Sequence, residues 1–424
     1  MRNLTAVSTA ALTMALSATA AAQTVHIKNA KIVTNGPQGI IETGSLTISE
    51  GQIVGMGANL SAPRGDVQII DANGGWVTPG LFVPYSQLGL TEVSQEGSTN
   101  DSRSSKSNTS ISEMAADGFN PQTPNIDNTR IEGITHAAVS MSPGKNLFSG
   151  VGLIADMSGT FGSVINDTAF AYVQMGSRGA SKAGGSRAAA MAQLRAALDD
   201  ADAYPEIYSS PTDGDTLSRR DAAAMRLVAD GDIPLLVGMD RASDILRLIK
   251  LNEDYPALNL IIVGAAEGWM VATEIADADL KVMIDPHNNL PDSFDFVGAR
   301  LDNANLLHDA GVEFAITTLS ADSNHNVRVL PQHAGNAVGN GLDWDTAFAA
   351  ISEVPARWFG VETGTLSRGD AATLVIWDGD PLELTSSPTA IYIDGETQSL
   401  ESRQTKLRDR YGPLADAETP HKYR

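Results

Sequence analysis

The chain has 424 residues, enough for two or three domains or for one large barrel with an appendage. Its 51 acidic residues outnumber 29 basic ones, a formal net charge of −22, and so acidic a surface repels nucleic acid and anionic lipid. It has no cysteine, which excludes disulfides, thiolate zinc sites and cysteine nucleophiles, and a mean hydropathy of −0.10 argues against a membrane span.

The N-terminus reads as a secretion signal. Arg2 supplies the positive charge, Leu4 to Leu16 is a mostly apolar run, and Ser17 to Ala22 offers small residues to a signal peptidase. Residues 1–22 are therefore expected to be removed near Ala22 and Gln23, leaving a periplasmic or secreted protein. Short strands are expected from Val25 to Gly57. VHIKNAKIV alternates apolar and polar residues, and SLTISEGQIVGMG reads as a hairpin turning at Glu50 and Gly51. The next stretch, VTPGLFVPYSQLGL from Val77 to Leu90, passes from a turn into a short apolar strand and then reaches Tyr85, Ser86 and Gln87. We take it as the first strand of a barrel, with its C-terminal end aimed at a site. Gln95 to Asn108, rich in Ser, Asn and Thr, is expected to be a mobile loop.

From Ile131 onward strands and helices alternate. Strands read at Ile134 to Met141, Val151 to Asp156, Ala169 to Met175, Ile233 to Met239, Leu258 to Val263, Val282 to Ile284 and Val312 to Ile316. Helices fall between and after them, including Ala183 to Ala203, Ala242 to Asn252 and Pro331 to Asn340. Such apolar strands imply a parallel sheet covered on both faces, and about eight units close most economically as a barrel. An open doubly wound sheet is the competing topology, but no Gly-x-Gly-x-x-Gly follows the first strand. Near the far end, Gly364-Thr365-Leu366 and Arg368-Gly369-Asp370 lead into a strand at Ala372 to Trp377. A turn at Asp378 to Pro381 precedes another strand at Ala390 to Ile393.

Several of these segments resemble the amidohydrolase superfamily. Thr78-Pro79-Gly80-Leu81 is similar to the family's entry into its first strand, and the stretch from Gly364 to Pro381 resembles the family's C-terminal end. RASDILRLIK, VGAAEGWMVATEIADADLKVMIDP and NHNVRVLPQHAGNAVGNGLDWDTAFAAISEVPARWFG resemble exported members related to imidazolonepropionase. The resemblance implies an α/β fold, a TIM-like (β/α)8 barrel with a small β-sandwich formed from both chain ends. It divides the chain into a sandwich of 23–80 plus 360–400, a barrel of 81–359 and a basic tail of 401–424. It also implies hydrolysis of non-peptide C–N bonds, in amides or cyclic amides, by a metal-bound hydroxide. The zinc ligands would come from the ends of strands one, four, five, six and eight.

Laid on that pattern, the ligand positions are altered. Tyr85 and Gln87 stand where the first strand's two His belong, and Gly238 and Gly264 stand where strands five and six carry His. Leu319 aligns with the Asp of strand eight, and strand four offers no Lys. The expectation is therefore a chain without zinc or any other cofactor. It would be a catalytically impaired homologue serving as a binding or partner subunit, in a homo-oligomer or beside an active paralogue, with a small amide-type ligand. The competing expectation is an active C–N hydrolase with a non-standard site at the barrel mouth. Asp156, Asp240, Glu267 and Asp285 fall at or just past predicted strand ends. Asp240, Glu267 and Asp285, together with His287, are the candidate catalytic residues, because paired carboxylates perform acid–base work or hold a hard cation. Tyr85, Gln87 and His325 are the candidate substrate-binding residues. Each acid taken singly also reads as a helix cap or a loop anchor. The tail, with Arg403, Lys406, Arg408, Arg410, Lys422 and Arg424, is either a dock for an acidic partner or a solvated terminus.

Overall fold

A computed structural model describes residues 24–416 apart from 94, 209–213, 215 and 320–324, so the signal-like segment and the last eight residues of the tail lie outside it. In chain order the strands begin with β1 (Thr24–Val33), β2 (Ile40–Ser49), β3 (Gln52–Gly57), β4 (Val67–Asp71) and β5 (Trp76–Pro79). The barrel strands follow as β6 (Leu81–Ser86), β7 (Ile134–Val139), β8 (Phe148–Asp156), β9 (Val164–Gln174), β10 (Leu235–Met239), β11 (Leu260–Gly264), β12 (Lys281–Ile284) and β13 (Phe314–Ile316). The chain then returns to its first sheet with β14 (Leu374–Trp377), β15 (Pro388–Ile393) and β16 (Glu396–Thr397).

The two chain ends share one sheet, in the order β16-β15-β14-β5-β1-β2-β3, with β4 branching from β1. Thr24 to Lys28 of β1 pair with β4, whereas Lys31 and Ile32 pair with β5. Register shifts around Ala30 turn the strand from one partner to the other, so the sheet folds over its own apolar interior. Ile27, Leu46, Val77, Leu374 and Ile376 fill that interior. Trp377 is the joint to the barrel. Its indole N–H donates to Thr78 Oγ1 at 2.9 Å, and its ring lies where a side chain at Gly133 would come within 2.4 Å of it. Gly133 immediately precedes β7, and only glycine leaves room for the ring there.

The barrel sheet runs β6-β7-β8-β9-β10-β11-β12-β13. It is nearly closed. Across the seam Phe82 N–H donates to Ile351 O at 2.8 Å and Ile316 N–H to Ala350 O at 3.0 Å, so the chain beyond the last strand bridges β6 and β13. Phe82, Ile154, Phe170, Leu236, Ile261, Met283 and Ala315 fill the interior, as a barrel of eight strands requires. His136 belongs to this interior, with its ring stacked 6.0 Å from Phe82. Burial pushes its imidazole down to about 4, so it is neutral at pH 7.

One strand departs from the all-parallel expectation. β8 is antiparallel to both β7 and β9. The links on either side, residues 140–147 and 157–163, are too short for a crossover helix, and a short link joins antiparallel neighbours. Asp156, expected at the mouth, therefore lies at the opposite end of the barrel, opposite His136, where its carboxylate accepts Ser158 N–H at 2.7 Å. A second departure concerns the polar loop. Its backbone is tied down, with Asp101 N–H donating to Leu90 O at 2.8 Å and Ser142 N–H donating to Ser102 O at 2.7 Å. Composition pointed to mobility, but the same short polar side chains also bond locally, as Asn100 Oδ1 does to the Ser102 hydroxyl at 2.6 Å.

Helices cover the sheet. Arg187–Asp202 starts at a Ser186 cap within the stretch Ala183 to Ala203 that was expected to be helical, and a short helix not expected, Gly176–Lys182, precedes it. Ala242–Asp254 buries Ile245, Leu248 and Leu251 on one face. Part of the basic tail forms the helix Arg403–Asp416. No described helix is long and apolar enough to cross a membrane.

Candidate functional site

A cavity of about 540 Å³ opens at the C-terminal ends of β6, β9, β10, β11 and β12. Tyr85, Gln87, Asp240 and Asp285 all line it. So do Tyr172, Gln174 and Arg178, which reading the sequence did not single out.

The centre of the mouth is filled by side chains that lock one another. The rings of Tyr85 and Tyr172 lie 5.3 Å apart. Tyr172 donates its hydroxyl to Gln174 Oε1 at 3.0 Å, and the Gln174 amide donates to the carbonyls of Met175 and Gly238, each at 3.1 Å. Gln87 donates its amide to the Ser142 hydroxyl. These contacts, with Asp240, fill the space beside the glycines at the ends of β10 and β11. A Cβ on Gly238 would stand 2.2 Å from the Tyr172 hydroxyl. Gly264 has φ +118°, which disfavours any other residue, and a Cβ there would stand 2.4 Å from Asp240 Oδ1. Burial pushes Tyr85 up to about 12 and Tyr172 well above the ordinary phenol range, so both remain neutral hydroxyls at pH 7.

Asp240 follows β10 directly and is half-buried. Burial pushes its carboxyl up to about 7; the Ala266 N–H and the Arg178 charge pull the other way, while Asp295 and Glu267 add to the rise. A carboxyl so poised exchanges its proton near neutrality. The Arg178 side chain is exposed and makes no hydrogen bond or ion pair among the described residues.

The remaining predicted residues scatter. Asp285 is buried, and its Oδ1 accepts His287 N–H at 3.0 Å and contacts His333 Nδ1 at 2.8 Å. His333 is itself buried, on the helix Leu330–Gly339, and makes the pair with Asp285 that was assigned to no one beforehand. The His287 side chain is exposed beside it, 5.2 Å from the His333 ring. Glu267 stands outside the cavity wall. Its carboxylate accepts Ala242 N–H at 3.1 Å, at the start of a helix, and Gly298 N–H at 3.2 Å. His325 is half-buried and is not part of the described wall.

Among the described residues no three His, Asp or Glu side chains converge closely enough to hold a metal ion. The donors that do line the mouth are the two neutral phenols, the amides of Gln87, Gln174, Asn288 and Asn303, serine hydroxyls and the carboxylates of Asp240, Asp285 and Asp292, with no imidazole among the described residues that line it. That set does not fit a zinc pair, which needs imidazole and carboxylate donors directed at one point.

The sequence model of the amidohydrolase family matches residues 252–402. A curated relative, the amidohydrolase tasK of Hapsidospora irregularis, is 29% identical over 97 residues, which are 22% of this chain and 10% of that protein. Among solved structures, an amidohydrolase from Thermotoga maritima superposes with a TM-score of 0.77 at 22% identity, covering 88% of this chain and 99% of the other. A triazine hydrolase from Arthobacter aurescens superposes with a TM-score of 0.51 at 15% identity, over 94% of this chain and 100% of its own length. At these identities the superpositions speak for the fold alone, while residues 252–402, about a third of the chain, carry the sequence pattern of the amidohydrolase family.

Proposed function

We propose that this chain is a metal-free member of the amidohydrolase family that binds a small polar ligand, of amide type, at the barrel mouth and serves as a binding or partner subunit. One observation carries the reading. At the ends of β10 and β11, glycines stand where side chains would have to reach inward, and Tyr172, Gln174 and Asp240 fill that space. Family kinship by itself implies C–N bond hydrolysis, so the reading concerns what this mouth has become. The signal-like residues 1–22 support export to the periplasm or beyond.

The test is metal analysis of the purified full chain, with turnover measured on a panel of N-acyl amino acids and dipeptides. The expected result is substoichiometric metal and no chelator-sensitive turnover. Stoichiometric zinc, with turnover abolished by a chelator, overturns the proposal. Co-purification of a His-rich homologue strengthens the partner role.

A second reading has its own support. Asp240, pushed up to about 7, has the proton affinity of a general acid or base, and Arg178 stands over the same cavity. Under this reading the chain is an active C–N hydrolase with an altered site. Turnover would then follow a pH profile that breaks near 7 and would vanish in Asp240→Asn.

A further inference from the structure

Behind the mouth lies a second cavity of about 450 Å³, between the helices Arg187–Asp202 and Ala242–Asp254. We propose that it binds a small organic anion, a carboxylate carried on an apolar body.

The charge points to the anion. Arg187 and Arg195, eight residues apart, lie on one helix face, and Arg247 faces them from the second helix. Three guanidinium groups thus share a wall with a single carboxylate, Asp244, on a chain whose net charge is −22. Arg187 is already taken, by Asp244 at 2.9 Å and by Asp295. The Arg195 and Arg247 side chains make no hydrogen bond or ion pair among the described residues, although acids abound on this surface. Two free guanidinium forks across a cavity suit a carboxylate, which accepts paired N–H bonds in one plane.

The floor points to the apolar body. Met175 and Met239, at the ends of β9 and β10, are both buried, and Met191 stands half-buried between the arginines on its helix. Thioether side chains are unbranched and polarizable, and they mould around aliphatic ligands of differing shape. A cavity of this size with an apolar floor and a few polar groups at its rim has the usual proportions of a small-molecule site.

Titration of the full chain with octanoate, followed by calorimetry, tests the assignment. The expected result is saturable one-site binding that weakens as salt rises. It should weaken at least tenfold in R195Q/R247Q and at least tenfold in Met191→Glu, which places a carboxylate on the floor. Octan-1-ol, the same chain without the charge, should bind at least tenfold more weakly than octanoate. Arg195, Arg247 and Met191 are none of them fully buried, and the circular dichroism of both variants should match that of the parent chain. Absence of octanoate binding, or binding that neither variant weakens, overturns the proposal.

Discussion

The composite sheet and the barrel mouth are made of neighbouring strands, yet their side chains are placed by different forces. In the sheet, burial decides. Trp377 is 2% exposed, and its position follows from a pocket shaped by Thr78 and Gly133 around one large ring. At the mouth, hydrogen bonds decide: Tyr172 is held by Gln174 on the same strand, Gln174 by the Gly238 carbonyl of β10, and Gln87 by Ser142. The first kind of order depends on volume and leaves the rim free to vary. The second depends on who the neighbours are, so a ligand cannot be restored there by changing one residue.

The largest effect should come from the sheet. Trp377→Ala removes a buried indole and its bond to Thr78 and leaves a cavity at the joint between sheet and barrel. A loss of about 3–5 kcal/mol is expected, seen as a marked fall in the thermal unfolding midpoint. A midpoint that hardly moves would mean that the joint is not what holds the two parts together. Next comes Gly238→His, which drives a side chain into the Tyr172 hydroxyl. A loss of about 1–3 kcal/mol from overpacking is expected, without any gain in zinc affinity by calorimetry. The contrast between the two regions breaks down if a Gly238→His/Gly264→His double variant binds zinc and keeps its unfolding midpoint.

A smaller effect should follow pH. Asp240 is raised to about 7 in the folded chain, above the value near 3.9 of an unfolded Asp. Below pH ~4 both states hold the proton, and the group contributes nothing to stability. Between pH ~4 and ~7 the unfolded state loses a proton that the folded state keeps, so stability falls as pH rises and stays lower above that range. Asp240→Asn removes this penalty. It should unfold at the same temperature as the parent chain at pH 4 and at a higher one at pH 8. Equal midpoints at both pH values would place the Asp240 carboxyl in water, and the polar mouth would then be less enclosed than its contacts imply.

These differences also account for what could be read from the residues alone. The strands β10, β11 and β12 were legible because LLVGM, LIIVG and KVMI are short apolar runs between helical patterns, and burial is written into each residue locally. The return of the chain end to the first sheet was legible through motifs such as Arg368-Gly369-Asp370. The backbone there does bind β3, with Ile53 N–H donating to Asp370 O at 2.9 Å. The direction of β8 was not legible, because its apolar pattern is the same in either sense and only the short links decide it. At the mouth, Phe170, Tyr172 and Gln174 alternate along β9, so all three face one side, and that period would have found the last two. Arg178 and His333 left no such trace. They reach their places from helices, through contacts between residues distant in the chain.

The smallest predicted effect concerns Glu267 and sharpens the distinction between a residue that holds the rim and one that acts in it. Its two carboxylate oxygens accept N–H groups from Ala242 and Gly298, which join the start of a helix to the loop beside the mouth. Removing them in Glu267→Ala should cost about 1 kcal/mol, the usual worth of a lost cap, and lower the unfolding midpoint slightly. Glu267→Gln keeps one acceptor and turns an amide N–H₂ toward the other donor, so its cost should fall between those of Ala and the parent residue. In both variants ligand affinity at the mouth should stay within a factor of about two, because a cap worth so little shifts the rim only slightly. If Gln leaves the midpoint where it was and abolishes ligand binding or turnover, then Glu267 acts on the ligand, and its place among the caps is secondary.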